Sequence, residues 1–380
     1  MKKDLSTNSQ EGGTTGNEGK IPSSDFSNER ISSEAPMIKI KERNYLIDNL
    51  KGIMIWVVVC THYLHAAKGF TTDSLAGATY LTMISCDMII FIFASGYFSK
   101  NVDKSRKKSF RTFLYPYILL SILMYGVRYL IYGNANLDFM LPSLALWFMI
   151  VLFFYRFLLK DMVRLGKFLL PLTFVVSVVA GFVPQLDSTL ALGRAFGFLP
   201  FFILGYLFTA DHIAKIRSIP KWIGWIGFIA LLTYSFIMAF NKVLPMSTWY
   251  LKMPYSYLGF DPLEGALIRS GLLASGVLWL VVFLIIVPDK KTWYTKFGVN
   301  SMSVYALHLT LRHLLVKMDT DFGGGVFATL VPLVLALITT WVLSSEPVSR
   351  TFNLFMDSVY AVITYPVKRA KGLLALDTPK

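Results

Sequence analysis

The stretch DNLKGIMIWVVVCTHYLHAA, residues 48–67, decides the fold and raises the functional question. Its apolar run is long enough to cross about 30 Å of hydrocarbon as a helix rising about 1.5 Å per residue. Asp48, Lys51, His62 and His65 nevertheless interrupt it. Ionisable groups are costly in lipid and persist there only with a partner, a water-filled cavity or a chemical task. Residues three apart on a helix share a face, which pairs Asp48 with Lys51 and His62 with His65. Eleven residues make three turns and little more, so Lys51 and His62 align roughly 16 Å apart along the axis. The four side chains form one stripe, predicted to face a bundle interior.

Working outward, the rest of the chain is of the same kind. Of 380 residues, 54% are hydrophobic, 15% aromatic and only 16% charged, with mean hydropathy +0.54. A soluble domain usually carries about 25% charged residues. Apolar runs of span length predict an all-α polytopic membrane bundle of about ten transmembrane helices. They lie near 46–67, 78–99, 112–132, 141–159, 168–183, 194–209, 222–240, 268–287, 297–316 and 326–344. The segments after the even-numbered spans are basic: Lys100, Lys104, Arg106, Lys107 and Lys108; Lys160, Arg164 and Lys167; Lys215, Arg217 and Lys221; Lys290, Lys291 and Lys296. The opposite loops offer chiefly Lys68, Lys242, Lys252 and Lys317. This alternation predicts that both termini are cytoplasmic. It also explains the net charge of +14 without nucleic acid, which is not an expected partner.

Residues 1–37 are rich in Ser, Gly, Thr, Asn and Glu and poor in large apolar side chains, so a disordered cytoplasmic tail is expected over 1–40. It lacks the apolar core of a secretory signal, and the first span is expected to direct insertion. The membrane domain is expected over 41–346, followed by a basic cytoplasmic tail over 347–380. Cys60 and Cys86 both lie in apolar runs, a packing role rather than a disulfide framework or metal cluster. No metal is expected. Walker, dinucleotide-binding and zinc signatures are absent, as is any repeat of 20–50 residues. The outer connection 241–267 contains PMSTWYLKMPYSYLGFDPLEG, aromatic enough to cover a site.

RNYLIDNLKGIMIWVVVCTH, residues 43–62, resembles the first span of the integral-membrane acyltransferase type 3 family, in particular its fucose 4-O-acetylase-like branch. That family shows a basic residue, ten intervening positions and then His, filled here by Lys51 and His62. Lysine stands where arginine is commoner, which gives up a planar fork for bidentate binding. Asp48 fits the family's acidic residue one turn earlier. FIFASGYFSK (91–100), KKSFRTFLYPY (107–117), LWFM (146–149), RAFGFLPFFILGYLF (194–208) and SMSVYALHLTL (301–311) are similar to further family segments in the same order. The resemblance runs from about 43 to 345. No hydrolase-like domain follows the spans, so the membrane domain is expected to act alone.

The resemblance implies transfer of an acyl group, by default acetyl from acetyl-CoA, to a hydroxyl of a cell-surface sugar or polysaccharide precursor. A multi-pass protein of a bacterial plasma membrane, modifying the cell envelope, is the implied setting. A hydroxyl needs a positioned base near neutral pH, a task suited to His62, which alternatively carries the acyl group briefly. Arg194 and Lys51 are candidates to face the oxyanion, with Ser95 and Tyr97 after them and Asp48 beside Lys51. Arg194 alternatively anchors the outer interface. Gly193 and Gly197 beside it would admit a ligand close to the backbone.

The donor's phosphates need cationic partners, for which Arg111, Lys107, Lys108 and Lys51 are candidates; Lys107 and Lys108 equally serve topology. His308 falls in the family-like VYALH and is a candidate for the acceptor side, while Arg312 and His313 read as outer-end residues. Trp249, with Tyr250, Tyr255 and Tyr257, either stacks on a sugar or belongs to an aromatic belt. Asp87, inside the second span, suggests a partner for Lys51 or a histidine. The alternative function is a transporter or exporter using His, Asp and Lys as a proton relay, but no inverted repeat supports it. The sequence does not give the oligomeric state.

Overall fold

The same polar stripe sets where the first helix sits. In a computed structural model that describes residues 43–376 apart from 187 and 324, α1 (Tyr45–Ala66) buries fifteen of its twenty-two residues. By contrast α10 (Lys221–Phe240) buries only Gly224, Leu231, Ser235 and Ala239 among its twenty. The helix with ionisable groups is central, and the uniformly apolar one is peripheral, as expected when lipid rather than water surrounds the bundle. Asn49 ties the start of α1 in place, its amide donating to the carbonyls of Pro288 and Lys290 at 2.9 and 2.8 Å.

The described residues contain helices and no strand. After α1 come α2 (Leu75–Ile84), α3 (Asp87–Tyr97), α4 (Val102–Ser109) and α5 (Tyr115–Tyr132). α6 (Trp147–Met162), α7 (Leu169–Val179), α8 (Leu192–Leu207) and α9 (Ala210–Arg217) lead to α10. Beyond it lie α11 (Tyr255–Leu258), α12 (Pro262–Ile286), α13 (Thr295–Val299), α14 (Ser301–Lys317), α15 (Phe327–Leu343) and α16 (Glu346–Leu376).

Each of the ten apolar segments falls on this series, but length and apolarity select fewer crossings. Six helical stretches pass, or seven if α15 and α16, bent by 65°, count as one. Segments 141–159 and 168–183 fall in one stretch, Leu144–Phe182, broken between α6 and α7 at Gly166, whose non-helical φ of 54° and ψ of −128° suit only glycine well. α14, with 17 residues, is too short to be among the six, and α1 is outside them because Asp48, Lys51, His62 and His65 lower its apolarity.

The expected N-terminal tail, 1–40, lies outside the described residues. The segment expected as a C-terminal tail is helical as α16, with Phe352 and Met356 buried.

Two local devices shape the interior. α2 and α3 form one stretch, Leu75–Tyr97, broken at Ser85 and Cys86. The break makes Asp87 the first residue of α3, where its Oδ1 accepts from the Met88 amide. Before α5, residues Phe110–Leu114 take a wider π turn in which the Tyr115 amide donates to Phe110. Pro116 supplies the reason: it has no N–H, and its ring clashes with the carbonyl four residues back in an ordinary turn.

Candidate active site

The first helix runs past two cavities. Lys51 and Ile55 line one of about 400 Å³; Val58, Thr61, His62 and His65 line another of about 260 Å³. Met88 of α3 lines both. The Tyr305 hydroxyl, on the larger cavity, donates to the carbonyl of Ala145, on the smaller one. The two chambers therefore share a thin wall.

In the smaller chamber the His62 ring lies 5.1 Å, centroid to centroid, from that of His308. His308 is fully buried. Its Nδ1 lies 2.9 Å from the Val304 carbonyl, four residues back on α14. A carbonyl only accepts, so Nδ1 carries the proton. The other nitrogen, Nε2, is buried and has no hydrogen-bond partner. The chamber is completed by Asp87 at the head of α3, Arg194 on α8, Arg312 on α14, and Trp249 and Tyr250 of the connection after α10.

Arg194 stacks on Trp147 at 4.5 Å from the ring centroid and reaches Tyr250 at 5.9 Å. The Tyr250 hydroxyl meets that of Tyr80 at 2.8 Å, closing the chamber between α2 and the loop. Trp249 Nε1 is a second buried polar atom without a partner. A chamber of this size, lined by Arg194, Arg312, His62, His65 and Asp87, suits a polar ligand.

The larger chamber differs. Much of its wall is apolar, with Ile55, Met88, Phe91, Phe148 and Leu152, and its cations are engaged. Lys51 Nζ lies 3.3 Å from the Asp48 carboxylate. Arg156 of α6 donates to the Ser95 hydroxyl at 3.3 Å and stacks on Phe113. The π turn brings Arg111 to Asp357 of α16 at 3.0 Å and over the Tyr360 ring, while the Tyr115 hydroxyl donates to the Met356 carbonyl at 2.7 Å. α16 thereby forms part of the wall.

The profile of the acyltransferase 3 family, an acyltransferase domain, matches residues 44–345. The chain belongs to the acyltransferase 3 family. It is accordingly a membrane acyltransferase with several apolar helices. No curated protein and no solved structure matches it.

For a member of this family, the distribution of the sequence candidates over the two chambers matters. His62, Arg194 and Trp249 stand together in the smaller one, whereas His308 is fully buried, off that lining and next to His62. Lys51, Ser95 and Arg111 line the larger one, with Asp48 held by Lys51. Lys51 and His62 thus share a helix stripe but not a chamber.

Tyr97, Lys107 and Lys108 line neither. Tyr97, at the end of α3, packs on Phe93 and beneath Lys100. On α4 the inward face is Ser105 and Ser109, so Lys107 and Lys108 are exposed. Gly193 and Gly197 do not open backbone to a ligand: a Cβ at either would strike the carbonyl of Lys252 or Leu251. They let the covering loop dock onto α8. Asp87 meets the histidine chamber rather than Lys51.

Sequence reasoning assigned no role to Arg156 and treated Arg312 as an end residue. The signal for Arg156 was present as a lone charge inside the apolar run LWFMIVLFFYRFLLK, residues 146–160.

Proposed function

We propose that the chain is an O-acyltransferase of the fucose 4-O-acetylase-like branch, moving acetyl from acetyl-CoA to a hydroxyl of a cell-surface saccharide or its lipid-linked precursor. One observation carries the reading: among the described residues His62 makes no hydrogen bond, and it faces a chamber lined by the guanidinium of Arg194, while the buried His308 ring lies 5.1 Å from its own. Structural imidazoles are normally paired; one left free beside a cation and a hollow is poised for chemistry.

The residues supply each part of the reaction. His62 takes the proton of the acceptor hydroxyl as its oxygen adds to the thioester carbonyl carbon. Arg194, held flat on Trp147, donates to the carbonyl oxygen as negative charge grows there. The carbon–sulfur bond then breaks and His62 returns the proton to sulfur, giving the ester and the free thiol. His308 Nε2, with no other partner, is the acceptor toward which the second His62 nitrogen turns its N–H.

The larger chamber fits the donor: an apolar wall for the pantetheine arm, with Arg111 and Lys51 toward the phosphates and Arg156 deeper in. Lys107 and Lys108 then serve the positive-inside rule alone. Ten crossings with both termini cytoplasmic, in a bacterial plasma membrane, would place that chamber on the donor's side.

The test is incorporation of label from radioactive acetyl-CoA into saccharide by membranes holding the wild-type chain or His62→Ala. The wild type is expected to label saccharide, and His62→Ala to lose at least about a hundredfold while still inserting. Unchanged labelling by His62→Ala would remove His62 from the reaction. A transporter would move no label onto saccharide.

A further inference from the structure

The arginines inside the bundle divide into two groups. Arg156 bonds Ser95, Arg269 donates to the Leu251 carbonyl at 2.6 Å, and Arg217 donates to the carbonyls of Leu284 and Val287 and pairs with Asp289. Arg106 pairs with Asp161, Arg111 with Asp357, and Arg128 donates to Asn136. Arg194 and Arg312 have no hydrogen bond and no ion pair among the described residues. Both line the histidine chamber. Its single acid, Asp87, takes the Met88 amide and pairs with neither. A half-buried guanidinium without counter-charge is costly in a membrane protein, and two in one hollow leave an excess of positive charge.

The two are not equivalent. Arg194 is fixed on Trp147 and is assigned above to the carbonyl oxygen. Arg312 has no ring contact; it sits one turn beyond His308 on the same face of α14. An adjoining hollow of about 250 Å³ shares Leu144, Trp147 and Arg194 with the chamber. The donor's phosphates do not account for this charge, because they belong with Arg111 and Lys51, the latter roughly 16 Å along α1 from His62.

Building on the acyltransferase reading above, we propose that the acceptor is anionic: the sugar that is acylated carries a carboxylate or phosphate, and Arg312 binds it. A guanidinium is the side chain suited to either group, since its fork offers two parallel donors. The charge pair anchors the sugar while a neighbouring hydroxyl meets His62.

The experiment uses the full-length chain in proteoliposomes with radiolabelled acetyl-CoA. The acceptor pool is saccharide extracted from cells deleted for the chain. It is offered untreated, after carbodiimide and borohydride reduction of carboxylates, or after removal of phosphates with hydrogen fluoride. Wild type is expected to lose at least roughly thirtyfold in kcat/KM on one treated pool, mostly through acceptor KM. The arm that fails names the acid. Arg312→Gln should narrow the ratio between untreated and treated pools toward one, and Arg312→Lys, which keeps the charge but not the fork, should restore only part of it.

Wild type using both treated pools as well as the untreated one would overturn the proposal without touching the acyltransferase reading. So would an unchanged ratio in Arg312→Gln. Absence of chain-dependent label in the untreated pool would instead overturn the acyltransferase reading and this inference with it.

Discussion

The two chambers along α1 are built from similar residue types and treat them oppositely. Around Lys51 every cation has a protein partner: Asp48 for Lys51, Ser95 for Arg156 and Asp357 for Arg111. Around His62 the cations are left open, namely Arg194 and Arg312, and His62 itself makes no hydrogen bond among the described residues. Satisfied polar groups rigidify a site, whereas unsatisfied ones keep a cost that a ligand or transition state can relieve. The difference indicates which chamber holds a flexible, largely apolar arm and which performs the chemistry.

Three substitutions test that contrast. Arg194→Gln removes the open guanidinium from the histidine chamber and is expected to lower kcat about a hundredfold or more. The acceptor KM should move little, which separates it from Arg312→Gln. A kcat within a few-fold of wild type would place the oxyanion elsewhere.

Gly205→Ala acts on the frame shared by both chambers, because α3 carries Asp87 and Ser95 while α8 carries Arg194. A Cβ at Gly205 would strike the Phe93 carbonyl, as one at Gly96 would strike that of Phe202. The expected cost is about 1–3 kcal/mol, read as a lower Tm of the detergent-purified chain. An unchanged Tm would show that the two helices part easily.

Asp357→Asn is the mildest. The Arg111–Asp357 pair is mostly exposed, so its loss should cost less than about 1 kcal/mol. The donor KM should change by no more than about fivefold, and in the downward direction if the freed Arg111 meets phosphate. A large rise would mean that α16, rather than the phosphates, is what Arg111 serves.

The helices were largely legible because a membrane helix announces itself by an unbroken apolar run. The ten segments lie on observed helices, with errors where that rule is silent. α16 went unread because it alternates Arg350, Asn353 and Asp357 with apolar residues, which is the pattern of a helix lying against a bundle rather than an apolar span. Within 144–182 Gly166, whose φ/ψ are non-helical, parts two helices, between the segments 141–159 and 168–183.

Of the site, His62 and His308 were legible as imidazoles inside apolar runs, 246 positions apart in sequence and 5.1 Å apart in space. The open glycine surface beside Arg194 was misread, since nothing local reveals that the chain near Leu251 returns to cover it.

The sequence by itself determined the helical class, the polar stripe of α1 and its inward direction, because helical period and the cost of charge in hydrocarbon are local rules. Only the tertiary structure decided that the stripe divides between two chambers. It also decided which cations find partners. Whether a guanidinium meets a carboxylate or an empty hollow depends on residues brought together by packing, and no spacing along the chain encodes that.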